Sequence, residues 1–221
     1  RSLTRAPITP FFPIVQLFTA YPIEDYRRHQ PEIDQAVSAM LAGGHYILGG
    51  EVSAFEKEFA VFTGAKHCIG VANGTDAIEV ILRALEIGPG DKVVVPSHTA
   101  VASASAVGRA GAEPVFADVD LETFTMCPVS LESLLQSPEG KGVRAVLAVH
   151  LYGHPVAWTE LQTVADAHGV ILLEDCAQAH GATLDGRRAG AWGALGCFSF
   201  YPTKNLGALG DGGAVVTADA A

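Results

Sequence analysis

The sequence predicts an α/β fold, with a mainly parallel central sheet flanked by helices. Two observations carry this reading. Short apolar runs alternate with segments of helical period from residue 68 onward. Turn-forming residues punctuate the alternation, as in Asn73-Gly74-Thr75 and Gly88-Pro89-Gly90-Asp91. In open sheets of this kind, ligands bind outside the carboxyl ends of the strands. The polar motifs Asn73-Gly74-Thr75, Pro96-Ser97-His98-Thr99, His150-Leu151-Tyr152-Gly153-His154-Pro155 and Glu174-Asp175 all follow predicted strands.

The elements follow in order. Residues 31–43 have helical period through Ile33, Ala36, Val37, Met40 and Leu41, and close at Gly43-Gly44. Residues 51–63 form a second helix, with Val52, Phe55, Phe59 and Phe62 on one face. A strand at 68–72 turns into a helix at 76–86. Then come a strand at 92–95, a small-residue helix at 99–110 and a strand at 113–116. A helix at 131–135, a strand at 145–150, a helix at 158–168 and strands at 170–173 and 194–200 follow. Residues 214–221 read as a strand running out. The first residue is not Met, and continuation beyond Ala221 is expected. Residues 1–30 read as an N-terminal arm, and 31–221 as one large domain.

Composition narrows the function. The 221 residues are 49% hydrophobic and 17% charged, as in a packed globular domain. A net charge of −10 with no compensating basic cluster argues against a nucleic-acid surface. It leaves room for a small anion held by backbone N–H groups. Cys68, Cys127, Cys176 and Cys197 are scattered without a C-x-x-C pair, so reduced thiols and a cytoplasmic setting are expected. No stretch is apolar and long enough to span a membrane, and Arg1 to Arg5 lack the apolar core of a signal peptide.

Lys204 is the most informative residue. It sits among aromatic, glycine and small residues, Phe198-Ser199-Phe200-Tyr201-Pro202-Thr203-Lys204-Asn205-Leu206-Gly207, with no carboxylate close in sequence. A lysine amine in such a setting is a nucleophile for a carbonyl carbon, forming a Schiff base. The ordinary alternative is an exposed lysine in a glycine-rich loop. Upstream, Asp175 ends the apolar run Val170-Ile171-Leu172-Leu173. It either caps the next helix or faces the pyridine nitrogen of pyridoxal 5'-phosphate (PLP), keeping it protonated. Gln178 lies one turn on and could meet the cofactor's phenolic oxygen. His180 sits near the ring or, as the favoured reading for a lone histidine, satisfies backbone. Asn73-Gly74-Thr75-Asp76 is either a plain N-cap or an anion site at a helix start, and Ser199 could add a hydroxyl to the same phosphate. His98, His150 and His154 come from different loops without helical H-x-x-x-H spacing, so no metal site is expected. Gly43-Gly44 and Gly49-Gly50 lack the dinucleotide pattern.

Taken together, these stretches resemble the DegT/DnrJ/EryC1/StrS family of PLP-dependent sugar aminotransferases, of aspartate-aminotransferase fold type I. The matching stretches are Tyr46-Ile47-Leu48-Gly49, Ala72-Asn73-Gly74-Thr75-Asp76-Ala77, Gly90 to Pro96, His150-Leu151-Tyr152-Gly153-His154, Glu174 to Ala182, and Phe198 through Lys204 to Gly213. The resemblance implies that Lys204 is the Schiff-base lysine, that Asp175 pairs with the pyridine nitrogen and that Gln178 contacts the ring oxygen. Gly74, Thr75 and Ser199 would hold the phosphate. It implies transfer of an amino group, usually from glutamate, to a keto group of a nucleotide-linked sugar. The retained lysine favours transamination over the dehydration carried out by relatives with histidine there. Family chains form homodimers and continue into a smaller C-terminal domain, which is missing here. Aminocyclitol or aminobenzoate chemistry, and a non-catalytic binding relative, are the alternatives. The chain departs from the pattern at Ala100, where the family commonly places an aromatic residue that stacks on the cofactor ring; His98 is the candidate substitute.

Overall fold

The computed structural model describes residues 20–218. Two helices lead, α1 (Pro22–Gly43) and α2 (Gly50–Thr63). The sheet strands are β1 (His67–Val71), β2 (Lys92–Pro96), β3 (Glu113–Ala117), β4 (Val143–Val149), β5 (Ile171–Asp175), β8 (Leu195–Ser199) and β9 (Gly213–Thr217). Between them lie α3 (Gly74–Ala84), α4 (Val101–Ala110), α5 (Pro128–Gln136) and α6 (Trp158–His168). A two-stranded hairpin, β6 (Thr183–Leu184) with β7 (Arg187–Arg188), separates β5 from β8. Its runs are too short to show a period, and the sequence reading passed over it.

The sheet has seven strands in the order β1-β9-β8-β5-β4-β2-β3. Strands β3, β2, β4, β5 and β8 run parallel, and β9 is antiparallel to both β8 and β1. Predicted and observed elements agree within a few residues except at α1. That helix starts at Pro22 rather than at Pro31, with a kink at His29 where Pro31 removes an amide from the ladder. The expected arm, 1–30, lies outside the described residues up to residue 19, as does the end of the last strand at 219–221.

Strand periodicity sorts the core into two layers. Val93, Val95, Ala145, Leu147, Val149, Leu173, Cys197 and Val215 point to one face, against Ile78, Ile81 and Leu82 of α3 and Ala106 and Val107 of α4. Their neighbours point the other way. Val94, Val146, Ala148 and Leu172 pack on Leu131 of α5 and Leu161 of α6. Phe198, Ala214 and Val216 pack on Phe59 of α2, whose ring meets Phe198 edge-on at 4.9 Å.

The same parity splits the last two residues of β5. Asp175 follows Leu173 onto the α3/α4 face, and Glu174 follows Leu172 onto the other. Glu174 is fully buried, and its carboxylate accepts backbone N–H bonds from Gly190 at 2.7 Å, Trp192 at 2.8 Å and Gly193 at 2.6 Å. His150 Nδ1 accepts from the Val156 amide, so its proton sits on Nε2, which donates to Glu174 at 3.3 Å. His150, Glu174 and Cys176 lie close enough together to suggest a metal site. Their polar atoms are engaged with one another and with the 190–193 loop, which is the arrangement of a structural network. Burial and the adjacent Glu174 push the Cys176 thiol up.

Replacing Glu174 by Leu would strand three buried amides at about 1–3 kcal/mol each. Urea unfolding of Glu174→Leu is expected to show a loss of at least about 3 kcal/mol, whereas a loss within about 0.5 kcal/mol would rule out this anchoring role.

Candidate active site

Four segments converge at one edge of the α3/α4 face. β1 ends there and runs into α3; β5 and β8 end there; β9 begins there, with Gly213 paired to both Ser199 and Val71. They enclose a cavity of about 410 Å³, lined by Gly74, Thr75, Asp175, Ser199, Lys204 and, across from them, Ala100. That volume suits a small-molecule site. A larger apolar cavity of about 620 Å³ lies beside it, lined by Leu48, Val52, Phe55 and Phe200 among others, but no titratable side chain reaches it.

Its anion end is built from α3. Asn73 caps the helix: its Oδ1 accepts from the Asp76 amide at 2.9 Å, and its carbonyl accepts from the Ala77 amide. The preceding amides, of Gly74 and Thr75, belong to residues that line the cavity at the positive end of the helix dipole. Close packing forces two glycines here. A Cβ on Gly74 would lie 2.6 Å from Ser199 Cβ, and one on Gly213 would lie 2.4 Å from the Asn73 backbone. Glycine at both places lets Ser199 approach the helix start.

Asp175 lines the same cavity. It is 5% exposed, and its two oxygens accept from Ser103 Oγ of α4 at 3.0 Å and from the Ala177 amide at 3.1 Å. Ser103 is held in turn by Thr99 at 3.0 Å. No cationic side chain among the described residues pairs with Asp175, so a buried carboxylate has only neutral partners. A protonated ring nitrogen would supply the missing charge.

Lys204 is half-buried on the cavity wall. It makes no ion pair or side-chain hydrogen bond among the described residues. Its loop is closed at the base by Phe200 N–H to the Gly212 carbonyl at 2.8 Å, and its own amide bonds Tyr201 O at 2.8 Å. The free amine, the anion end and the uncompensated carboxylate fit the three functional parts of PLP: carbonyl, phosphate and ring nitrogen.

Two candidates are not among the residues that border the cavity, though Gln178 directly follows Ala177, which borders it. His98 is exposed, with its ring 6.2 Å from Phe124 and 6.1 Å from Tyr152; Ala100, not His98, borders the cavity. Gln178 accepts the Tyr152 amide at 2.7 Å through Oε1. His180 stands beside the aromatic residues around the end of β8. Its ring packs on Phe198 and Phe200; neither ring nitrogen makes a hydrogen bond of good geometry, although the Ser199 backbone and the Asn205 side chain are close enough to favour its protonated form. Burial, with a smaller push from nearby Lys204, pulls its pKa down to about 4, so the ring is neutral at pH 7.

Sequence reasoning missed Ser103, Arg109, Tyr201 and Asp211. Ser103 lies 72 residues from the carboxylate it holds; only its i,i+4 spacing from Thr99 was visible. Arg109 borders the cavity but is paired with Asp76 at 2.9 Å and Glu79 at 2.7 Å.

A sequence model of the DegT/DnrJ/EryC1/StrS aminotransferases matches residues 27–221. The chain belongs to the DegT/DnrJ/EryC1/StrS aminotransferase family. It is 47% identical over 211 residues to the dTDP-3-amino-3,4,6-trideoxy-alpha-D-glucose transaminase of Streptomyces venezuelae, covering 96% of this chain and 53% of that one. It is 47% identical to the UDP-N-acetyl-3-dehydro-alpha-D-glucosamine 3-aminotransferase of Acidithiobacillus ferrooxidans, over 91% of this chain and 55% of that protein. The crystal structure of Streptomyces venezuelae DesV in complex with a ketimine intermediate superposes with a TM-score of 0.86 at 47% identity, covering 90% of this chain and 53% of that chain. The chain spans about half the length of the curated relatives it matches.

His180 gives this family member a pH signature. The unfolded chain takes up a proton near the ordinary value of 6.5, the folded one only near 4. Lowering pH across that window therefore favours unfolding. Urea midpoints are expected to fall between pH 6.5 and 4, and to fall less steeply in His180→Gln than in the unaltered protein.

Proposed function

We propose that this protein is a PLP-dependent aminotransferase that moves an amino group, from glutamate, onto a keto group of a nucleotide-diphosphate-linked sugar. One observation carries the reading: a buried carboxylate without a cation, Asp175, and an unpaired amine, Lys204, border the same cavity as the start of α3. The family is one of PLP-dependent aminotransferases, and the relatives named above act on dTDP- and UDP-linked sugars.

PLP, when bound, supplies an electron sink for the pair released as the substrate C–H bond breaks. The protein's residues do the rest. The Gly74 and Thr75 amides, with the Thr75 and Ser199 hydroxyls, would hold the phosphate. Asp175, oriented by Ser103, would keep a proton on the ring nitrogen. Lys204 Nζ would be the group that holds the carbonyl carbon and that moves the proton at the substrate carbon. Gln178 would contact the ring oxygen. Ala100 borders the cavity where an aromatic ring would stack, and His98 is the candidate substitute.

A homodimer in the cytoplasm is the proposed working state. The four unpaired cysteines, with burial pushing Cys68 up to about 12 and Cys197 upward, suit a reducing compartment. No helix among the described residues is long and apolar enough to cross a membrane.

Full-length protein mixed with PLP is expected to gain a visible absorption band that collapses on adding glutamate. Lys204→Ala should lower turnover by about 10²–10⁴-fold. No band in the unaltered protein, or full turnover in Lys204→Ala, would sink the reading. A panel of nucleotide-linked keto-sugars against keto-cyclitols decides the acceptor class.

A further inference from the structure

The turn after β4 does more than connect. His150 anchors it twice to β5: its amide donates to the Asp175 carbonyl at 3.1 Å, and its ring donates to Glu174. The next residues fold back tightly, with Gly153 N–H on His150 O at 3.1 Å and His154 N–H on Leu151 O at 3.0 Å. Tyr152 is forced into the left-handed region, φ +58°, which is costly for a residue with a bulky side chain. Gly153 follows at φ +83°, and a Cβ there would come within 3.1 Å of the Gln178 carbonyl. The strained residue sends its amide to Gln178 Oε1 at 2.7 Å. Its ring hydroxyl lies 3.3 Å from His98 Nε2.

A backbone N–H can be met only by the oxygen end of a side-chain amide. The bond from Tyr152 therefore settles which way the Gln178 amide is turned. Its oxygen is consumed, and its NH₂ group, with no protein partner among the described residues, is the end left to offer. We propose that Tyr152, through its backbone amide, is a positioning residue that fixes Gln178 as a hydrogen-bond donor, and never an acceptor, toward the cofactor's ring oxygen. This rests on the PLP reading above. It explains why a strained, non-glycine residue sits at the tip of this turn. The geometry needs the left-handed backbone to aim the amide, and the tyrosine ring ties the same residue to His98 on the neighbouring loop. A donor facing that oxygen favours its ionised form.

The test separates backbone from side chain. Tyr152→Val places a β-branched residue where φ is positive and turns the peptide away. Tyr152→Gly adopts the same φ freely. In full-length protein titrated with PLP, Tyr152→Val is expected to weaken binding about fivefold, the loss of roughly one hydrogen bond. It should also move the visible absorption maximum of the bound cofactor in the same direction as Gln178→Leu. Tyr152→Gly should shift it less. A spectrum unchanged in Tyr152→Val, or a shift in Tyr152→Gly as large as in Tyr152→Val, overturns the proposal. A second measurement does not depend on that variant folding. Amide hydrogen exchange at Tyr152 should be at least about tenfold faster in Gln178→Leu, with its neighbours unchanged. Equal rates overturn the proposal. If the unaltered protein takes up no PLP, the cofactor reading falls and the donor role falls with it. If it takes up PLP while the Tyr152 measurements fail, the positioning claim alone falls.

Discussion

The end of β5 is the point on which the rest depends. Two adjacent carboxylates leave this strand on opposite faces of the sheet, because successive side chains in a strand must. Glu174 turns away from the cavity and gathers three amides of the 190–193 loop, with His150 completing its shell. That network locks the strand end in place. Asp175 is thereby held at the cavity floor, with only Ser103 and one amide for company. A buried carboxylate is costly unless compensated. Here the Glu174 network fixes the strand end, which leaves Asp175 in the cavity with incomplete compensation.

The other parts of the site are arranged around that fixed point by the sheet. Register places Ser199 and Gly213 side by side and brings the start of α3 against them, so close that neither Gly74 nor Gly213 has room for a Cβ. The start of α3, Asp175, Ser199 and Lys204 thus come from segments far apart in the chain, yet share one cavity. The loop carrying Lys204 hangs from β8 and β9 and is tied at its base by Phe200 and Gly212.

Much of this was legible in residue order. The alternation of apolar runs and helical segments named the fold class, and the positions of Gly74, Thr75, Asp175, Ser199 and Lys204 were readable because each follows a strand or sits in a distinctive loop. The short hairpin at 183–188 and the early start of α1 were not legible. Two-residue strands carry no period, and Pro31 looks like a helix start when a kinked helix can pass through it.

By itself, the sequence determined which chemistries were present: one amine without a local counter-charge, acids at a strand end, and a glycine-containing helix start. Local propensity and hydrophobic period are short-range properties, so residue order carries them. Only the tertiary structure decided how those groups are used. It gave Glu174 to the fold and Asp175 to the cavity, recruited Ser103 from 72 residues away, left the His180 ring neutral, and kept His98 off the cavity lining. Face, register and burial are long-range outcomes of packing, and no local pattern encodes them.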